Sequence, residues 1–246
     1  MKDRSSLCKK LNDGKKKFAV LVDPDKSTLA KIKKIATISE NFAVDFIFFG
    51  GSLLTEDNHA KFISVLKDYC SIPVILFPGN YLQINRKADG ILLLSLISGR
   101  NPEMLIGKHV IAAPYLRASN LEIIPTGYML IESGKSTTVS YISNTTPIPA
   151  DKDDIAVCTA MAGEMLGLKL IYMDAGSGAL NPVSLSMIQK VRKNIRVPLV
   201  IGGGIKTSGQ AAAISQAGAD LVVIGNAFEN NSPLIAQISE AIHKSG

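Results

Sequence analysis

Short, continuously apolar runs alternate along the chain with segments in which apolar residues recur every three or four positions. The apolar runs predict strands and the periodic segments predict helices. The predicted strands are FAVLVDP (18–24), DFIFFGGS (45–52), PVILFPG (73–79), GILLLSLISG (90–99), LEIIPTGYMLIES (121–133), LKLIYMDAGSG (168–178), VPLVIGGG (197–204) and ADLVVIGN (219–226). The predicted helices lie near 27–42, 56–70, 155–166, 182–194 and 207–217 and from about 232 onward. Strands that are apolar on both faces are typical of a parallel sheet covered by helices.

Eight such units in 246 residues predict an α/β fold, a (β/α)8 TIM barrel that forms one domain over residues 1–246. A doubly wound sheet is the alternative, although it usually has fewer strands for this length. Apart from the strand at 90–99, the stretch from about 79 to 120 is irregular, which indicates that a loop replaces the third helix. Residues 133–154 form the longest polar stretch and follow a strand, so we expect a lid at the carboxyl end of the barrel.

Composition limits the possible cellular location of the protein and the kinds of molecule that it could bind. No apolar run approaches the ~18–20 residues of a membrane span, and the N-terminus lacks an apolar signal core, so we expect a cytoplasmic protein. Cys8, Cys70 and Cys158 form no CxxC pair, which argues against disulfides and zinc. A net charge of +6 suits anionic partners, but without tryptophan or a recognition motif we expect no nucleic-acid binding.

Glycines mark the ends of the last two strands. Gly202, Gly203 and Gly204 follow strand seven, and Gly225 with Asn226 follows strand eight, each just before a helix. Glycine lets backbone N–H groups approach an anion, and these two loops frequently hold phosphate in TIM barrels. The alternative is a pair of tight turns that need positive φ. The pattern predicts a phosphate site.

Two other strand ends carry oxygen ligands. Asp23 ends strand one in LVDPDK, and Ser52 ends strand two in FFGGS. A carboxylate and a hydroxyl, completed by water and substrate oxygens, suit Mg²⁺. The alternatives are a turn or helix cap for Asp23 and a plain turn serine for Ser52. Asp25 and Lys26 are weaker candidates for the same pocket.

Strand six ends in YMDAGSGA, which predicts a reactive centre. Tyr172 and Asp174 share a face because strand side chains alternate, and Gly176–Gly178 extends the anion-binding surface. Asp174 is a candidate general base, with the cap of the following turn as the alternative. The histidines are isolated in sequence, and no role is assigned to them.

Seven strings carry a family resemblance over about Ala19 to Glu229: LVDPDK, FFGGS, IIPTGYMLIE, YISNTTPIP, YMDAGSGA, VIGGGI and IGNAFE. In this order they resemble the geranylgeranylglyceryl phosphate synthase family, which includes the heptaprenylglyceryl phosphate synthases. The resemblance implies a (β/α)8 barrel that transfers a prenyl group from a polyprenyl diphosphate to the 3-hydroxyl of sn-glycerol 1-phosphate, with Mg²⁺ as cofactor. The GSG form is similar to the archaeal-like branch and favours a C20 donor over C35.

Carried over by motif, the resemblance assigns a role to several residues. Asp23 and Ser52 look like the Mg²⁺ ligands, and Asp174 and Tyr172 look like the catalytic residues. The glycerol phosphate site is similar to Tyr172, Met173, Asp174, Ala175, Gly176, Ser177, Gly178, Gly203, Gly204, Gly225 and Asn226.

The chain departs from the family pattern at two positions. Asp174 stands where many members have Glu, so the substrate would bind deeper or through a water, which puts the rate in doubt more than the reaction. Leu21 stands where some relatives have Lys, so another cation is needed, for which Lys26 and Lys206 are candidates.

Two other functions stay open at this stage. A phosphosugar isomerase or lyase would share the phosphate loops. Such enzymes typically need two acid/base residues or a Schiff-base lysine on a central strand, and the only strand lysine in a comparable place, Lys169, lies at the wrong end of strand six. A non-catalytic prenyl-phosphate-binding relative is the other. For the enzyme we expect the prenyl groove near 79–120, a homo-oligomer interface such as 155–166, and peripheral membrane contact through the N-terminal lysines.

Overall fold

Eight parallel strands close into a barrel in chain order, with β8 paired to β1. The computed structural model describes residues 6–53, 55, 58–225 and 232–245. The strands are β1 (Lys17–Val22), β2 (Phe46–Phe49), β3 (Val74–Leu76), β4 (Gly90–Leu96), β5 (Glu122–Leu130), β6 (Leu170–Asp174), β7 (Leu199–Gly202) and β8 (Leu221–Ile224). The predicted TIM barrel is therefore confirmed.

The strands separate two apolar layers because successive side chains point to opposite faces. In β6, Leu170 and Tyr172 belong to the layer inside the barrel, while Ile171 and Met173 belong to the layer between the sheet and the helices. The inner layer also holds Phe46 and Phe48 from β2. The same alternation directs the ends of the strands into a common space at the carboxyl end.

Helices surround the barrel, and several start at a side-chain cap. The helices are α1 (Leu7–Leu11), α2 (Leu29–Asn41), α3 (His59–Tyr69), α4 (Lys108–Arg117), α5 (Thr138–Ser143), α6 (Asp153–Met165), α7 (Leu185–Asn194), α8 (Ser208–Gln216) and α9 (Ser232–His243). Thr28, Ser184 and Thr207 each accept a backbone N–H three residues on, which fixes the starts of α2, α7 and α8. Between β3 and β4 the structure has only a 3-10 turn, Tyr81–Gln83, so the loop expected in place of the third helix is present.

Two segments are more ordered than the sequence indicates. The stretch before residue 120 contains a π-helical turn, Glu103–Gly107, that continues into α4. Pro114 inside α4 and the exposed Val110 and Tyr115 obscure the amphipathic pattern, so the prediction of an irregular segment was wrong there. The expected lid, 133–154, contains α5.

The amino end of the barrel is closed by α1. The Glu122 carboxylate at the start of β5 accepts the backbone N–H groups of Leu7 and Cys8, at 2.6 and 2.9 Å. Lys10 donates to the Asp45 carbonyl oxygen, and Lys16 donates to the Ala219 carbonyl oxygen. The N-terminal lysines therefore lie at the end of the barrel opposite the predicted site.

Candidate active site

A cavity of about 550 Å³ opens at the carboxyl end of the strands. One part is lined by polar groups and glycines: Asp23, Ser52, Asp174, Gly176, Ser177, Gly178, Gly203, Gly204 and Gly225. The other part is apolar, and its lining includes Ile84, Leu92, Leu93, Met104, Ala112 and Leu116. The structure thus brings together the predicted site residues that it describes from β1, β2, β6, β7 and β8. Asn226 lies outside the described residues.

Asp174 ends β6 and is buried, with 7% of its surface exposed. Its Oδ2 accepts the Tyr128 hydroxyl at 2.6 Å, and its Oδ1 accepts the Gly176 N–H at 2.8 Å. Burial raises the pKa of Asp174, and the two hydrogen bonds lower it by less. The side chain therefore caps the following turn and also presents a carboxylate of raised basicity to the cavity, so both interpretations of this residue hold.

Tyr128 is a candidate site residue that the sequence analysis missed. It lies on β5 directly beside Tyr172 of β6, and the two rings meet edge to face with centroids 5.5 Å apart. Burial, followed by the charge of Asp174, raises the pKa of both phenols well above their ordinary value, so both hydroxyls stay protonated. The inward position of Tyr128 in the alternating strand was the available signal.

The glycines after β7 are needed for two reasons, the backbone conformation and the close approach of neighbouring atoms. Gly203 and Gly204 have φ values of +82° and +72°, which favour glycine. A Cβ atom on Gly203 would also lie 2.7 Å from Asp174 Oδ1, and one on Gly202 would clash with the Tyr172 hydroxyl. Any side chain at these positions would therefore be strained or would clash. The loop after β7 lies directly against Asp174, the candidate base.

Asp23 and Ser52 line the cavity on the side of β1 and β2. Asp23 Oδ1 accepts the Asp25 N–H at 3.2 Å, which caps a 3-10 turn, and Oδ2 lies 2.7 Å from the Lys26 ammonium. Within the described parts of the chain, no three histidine, cysteine or acidic residues are placed so that they could hold a metal ion together. A carboxylate and a hydroxyl nevertheless fit Mg²⁺, which keeps several waters and substrate oxygens.

Met173 of β6 and Ala175, just after the strand, alternate with the cavity residues and face away from the site. The side chains of Met173 and Ala175 are buried in the layer between sheet and helices. The Ala175 N–H donates to the Gly202 carbonyl oxygen at 3.0 Å. Any contact of Met173 or Ala175 with a ligand would therefore have to use backbone atoms, and their place in the site stays a prediction.

We expect Tyr128→Phe to lower activity at acidic pH and to cost about 1–2 kcal/mol of unfolding free energy, the value of a lost hydrogen bond. The phenol lowers the pKa of Asp174, so its removal raises that pKa further. The acidic limb of the pH profile of kcat would then move to higher pH. Tyr115→Phe, on the exposed face of α4, is the matched control. An unchanged acidic limb would show that the Tyr128 hydroxyl does not control the ionisation of Asp174.

Known proteins resemble this chain in sequence and in fold. The profile of the PcrB family matches residues 12–244. A geranylgeranylglyceryl phosphate synthase from Chitinophaga pinensis is 53% identical over 230 residues, which cover 94% of this chain and 91% of that protein. One from Pyrococcus abyssi is 39% identical over 228 residues, which cover 91% of this chain and 88% of that protein.

One solved structure is of particular interest for the site. The crystal structure of (S)-3-O-geranylgeranylglyceryl phosphate synthase from Thermoplasma acidophilum, in complex with substrate sn-glycerol-1-phosphate, has a TM-score of 0.90 and 32% identity. The similarity covers 96% of this chain and 97% of that one.

Proposed function

We propose a prenyl-transfer reaction for this chain. The chain belongs to the PcrB family, and its similarity to geranylgeranylglyceryl phosphate synthases confirms the family resemblance that its motifs predicted. The chain acts as a geranylgeranylglyceryl phosphate synthase, joining the geranylgeranyl group of its diphosphate to the 3-hydroxyl of sn-glycerol 1-phosphate. The names of the relatives and the ligand of the Thermoplasma acidophilum structure support this substrate pair. The observation that carries the proposal is the contact of a buried carboxylate, Asp174, with the Gly203 loop in a cavity whose other part is apolar.

Each part of the cavity has a separate task in this reaction. The glycine loops hold the phosphate, so the glycerol 3-hydroxyl is fixed in place, an orientation effect that contributes several kcal/mol. The bond from prenyl C1 to the diphosphate breaks, and a bond from C1 to the glycerol oxygen forms. The hydroxyl proton goes to the Asp174 carboxylate, which Tyr128 and Gly176 hold in position. The diphosphate leaves as the second product.

Asp23 and Ser52 are the residues that would hold Mg²⁺ at the diphosphate. When bound, the ion supplies positive charge that stabilises the leaving diphosphate. Lys26 pairs with Asp23 at 2.7 Å and lines the same cavity. It is therefore placed to contribute a second positive charge, in place of the lysine that some relatives carry where this chain has Leu21.

The apolar part of the cavity fits the prenyl tail. It runs between β4 and α4, where the short turn after β3 leaves the sheet without a third helix. Val139 and Ile142 of α5 also contribute to its wall, so the lid segment closes over it. Burial of each CH₂ group contributes ~0.8 kcal/mol, which makes a C20 chain a strong anchor. The position agrees with the groove expected near 79–120.

The deciding experiment measures product from labelled glycerol phosphate and geranylgeranyl diphosphate, with and without Mg²⁺. We expect a prenyl ether from sn-glycerol 1-phosphate only, not from its 3-phosphate enantiomer, and faster turnover with C20 than with C35. Turnover that is independent of Mg²⁺ would contradict the metal assignment. The absence of product with C20, C30 and C35 donors would overturn the proposed function.

Assembly and membrane contact are also proposals. The helix α6 exposes Ile155 and Met165, and the adjoining Leu166 is exposed as well, which suits an interface with a second copy. None of the described helices has the length and apolar character needed to cross a membrane. The N-terminal lysines lie at the amino end of the barrel, so any membrane contact that delivers prenyl donor to the cavity would have to use other groups.

A further inference from the structure

Three consecutive loops at the carboxyl end of the barrel lie against one another. The Asn181 N–H donates to the Ser133 carbonyl oxygen at 3.3 Å, which joins the β6–α7 loop to the β5–α5 loop. A Cβ atom on Gly204 would lie 2.6 Å from the Asn181 carbonyl oxygen, so the β7–α8 loop packs on the other side. The glycine loops thus have the start of the lid as a neighbouring wall.

This wall brings an exposed lysine beside the β6–α7 loop. The Lys135 ammonium lies 3.6 Å from the position that a Gly178 Cβ would occupy. In the part of the chain that the structure describes, Lys135 has neither an ion pair nor a hydrogen bond to its ammonium. Lys206, two residues after Gly204, lines the cavity, and its ammonium donates to the Leu180 carbonyl oxygen of the same β6–α7 loop at 3.2 Å.

A phosphate held by the glycine loops would be stabilised by such positive charges. The glycines offer only neutral N–H groups, and the N–H of Gly176 is already donated to Asp174. The Gly203 loop also lies against the Asp174 carboxylate, so a phosphate and the base would form a close pair of anions. Like charges at short range are unfavourable in a buried site, and a nearby cation offsets the repulsion.

A buried threonine fixes the position of the lid segment. Thr137 is 7% exposed, and a Cβ atom on Gly176 would lie 2.8 Å from Thr137 Cγ2. Thr137 is also the N-cap of α5, where the Ser140 hydroxyl accepts the Thr137 N–H at 3.1 Å and donates to the Thr137 carbonyl oxygen at 2.7 Å. The cap and the contact with Gly176 hold the start of α5 against the β6–α7 loop.

We propose that Lys135 and Lys206 form a two-lysine clamp on the phosphomonoester of the acceptor substrate, with Thr137 holding the lid segment against the glycine loop. The clamp rests on the proposed function for the identity of its ligand. It assigns Lys135 and Lys206 to the phosphomonoester, and it leaves Lys26, beside Asp23, to the diphosphate. The attraction between Lys135 and the phosphate then adds to the packing that holds the segment 133–137 beside the acceptor.

The test is the affinity of the full chain for sn-glycerol 1-phosphate by calorimetric titration, followed by steady-state kinetics. We expect Lys135→Met to raise Kd and KM about tenfold with kcat nearly unchanged, as removal of a charged hydrogen bond predicts. Lys135→Arg should retain the affinity within about threefold because it keeps the charge. The affinity of the unsubstituted chain should also fall with salt more steeply than that of Lys135→Met.

Lys152→Met is the matched control, because Lys152 also belongs to the polar stretch 133–154 but lies between α5 and α6 and pairs with Asp151 on the surface. Equal affinities of Lys135→Met and the unsubstituted chain, or equal losses in Lys135→Met and Lys152→Met, would overturn the clamp. If the unsubstituted chain binds no glycerol phosphate, the proposed function fails. The same variants titrated with inorganic phosphate then decide the clamp separately, with the same tenfold loss expected.

Discussion

Replacing Asp174 by Asn is expected to lower kcat by about 10²–10⁴-fold, the range that a positioned general base contributes. Asparagine keeps the size of the side chain, its amide oxygen can still accept the Gly176 N–H, and its NH₂ group can donate to the Tyr128 hydroxyl oxygen, but it takes up no proton. The glycine loops stay intact, so the affinity for sn-glycerol 1-phosphate should change little. Single-turnover kinetics together with calorimetric titration separate the two effects.

The stability of the same variant gives an independent readout. Because burial raises the pKa of Asp174 above its ordinary value of 3.8, the folded protein retains a proton that the unfolded chain releases. The free energy of unfolding therefore falls as the pH rises from 3.8 through the raised pKa. An asparagine does not titrate, so Asp174→Asn should gain stability relative to the unsubstituted chain over this interval, as urea unfolding at several pH values would show.

Asp151→Asn is the control for Asp174→Asn, since Asp151 is exposed and its ion pair with Lys152 lies on the surface. It should retain both activity and stability. Activity of Asp174→Asn close to that of the unsubstituted chain would show that another group accepts the proton. An unchanged pH dependence of stability would instead contradict the buried position of the carboxylate.

The architecture was predictable because the β-strands are buried on both faces over most of their length. Runs such as FIFF in Phe46–Phe49 carry no helical period, and their number and order determine a closed barrel. The ends of β1, β2 and β6 to β8 were predictable for the same reason, since parallel strands gather their carboxyl ends at one edge. Residues at those ends that carry chemistry, such as Asp174, are therefore visible in the sequence.

Residues that act through lateral contacts were not predictable in this way. Tyr128 lies two residues before the end of its strand, and only the pairing with Tyr172 and the position of Asp174 reveal its role. Lys135 comes from a polar loop whose path over Gly178 depends on the packing of neighbouring loops. Helix α4 was missed because its solvent side is apolar, which removes the contrast on which a periodic pattern depends.

The short side chain of Asp174 lies beside two tyrosines of the inner layer of the barrel, Tyr128 and Tyr172. Its carboxylate accepts the Tyr128 hydroxyl directly, and the Tyr172 ring lies beside Tyr128. The base is therefore held at the depth of the inner aromatic layer rather than extended into the cavity. Deeper binding of the acceptor, or a bridging water, remains the prediction for how the glycerol hydroxyl reaches it.

The second large effect is expected from Asp23→Ala, which should lower Mg²⁺-dependent turnover by about 10³-fold, the equivalent of several kcal/mol of charge stabilisation. Asp23 would supply the one protein carboxylate of the proposed site, so Mn²⁺ binding measured by paramagnetic resonance should weaken in parallel. The affinity for sn-glycerol 1-phosphate should stay within about twofold of the unsubstituted value, because the phosphate loops belong to β6, β7 and β8.

Asp151→Ala is the matched control for Asp23→Ala, since it removes a carboxylate that pairs with a lysine outside the cavity. It should leave Mn²⁺ binding and turnover unchanged. Loss of the 2.7 Å ion pair between Asp23 and Lys26 also frees a lysine in the cavity, so part of the lost charge is replaced and some metal-independent turnover should persist. Full activity with unchanged Mn²⁺ affinity in Asp23→Ala would exclude Asp23 as a ligand, and a parallel loss of glycerol phosphate affinity would show that the two halves of the cavity are not independent.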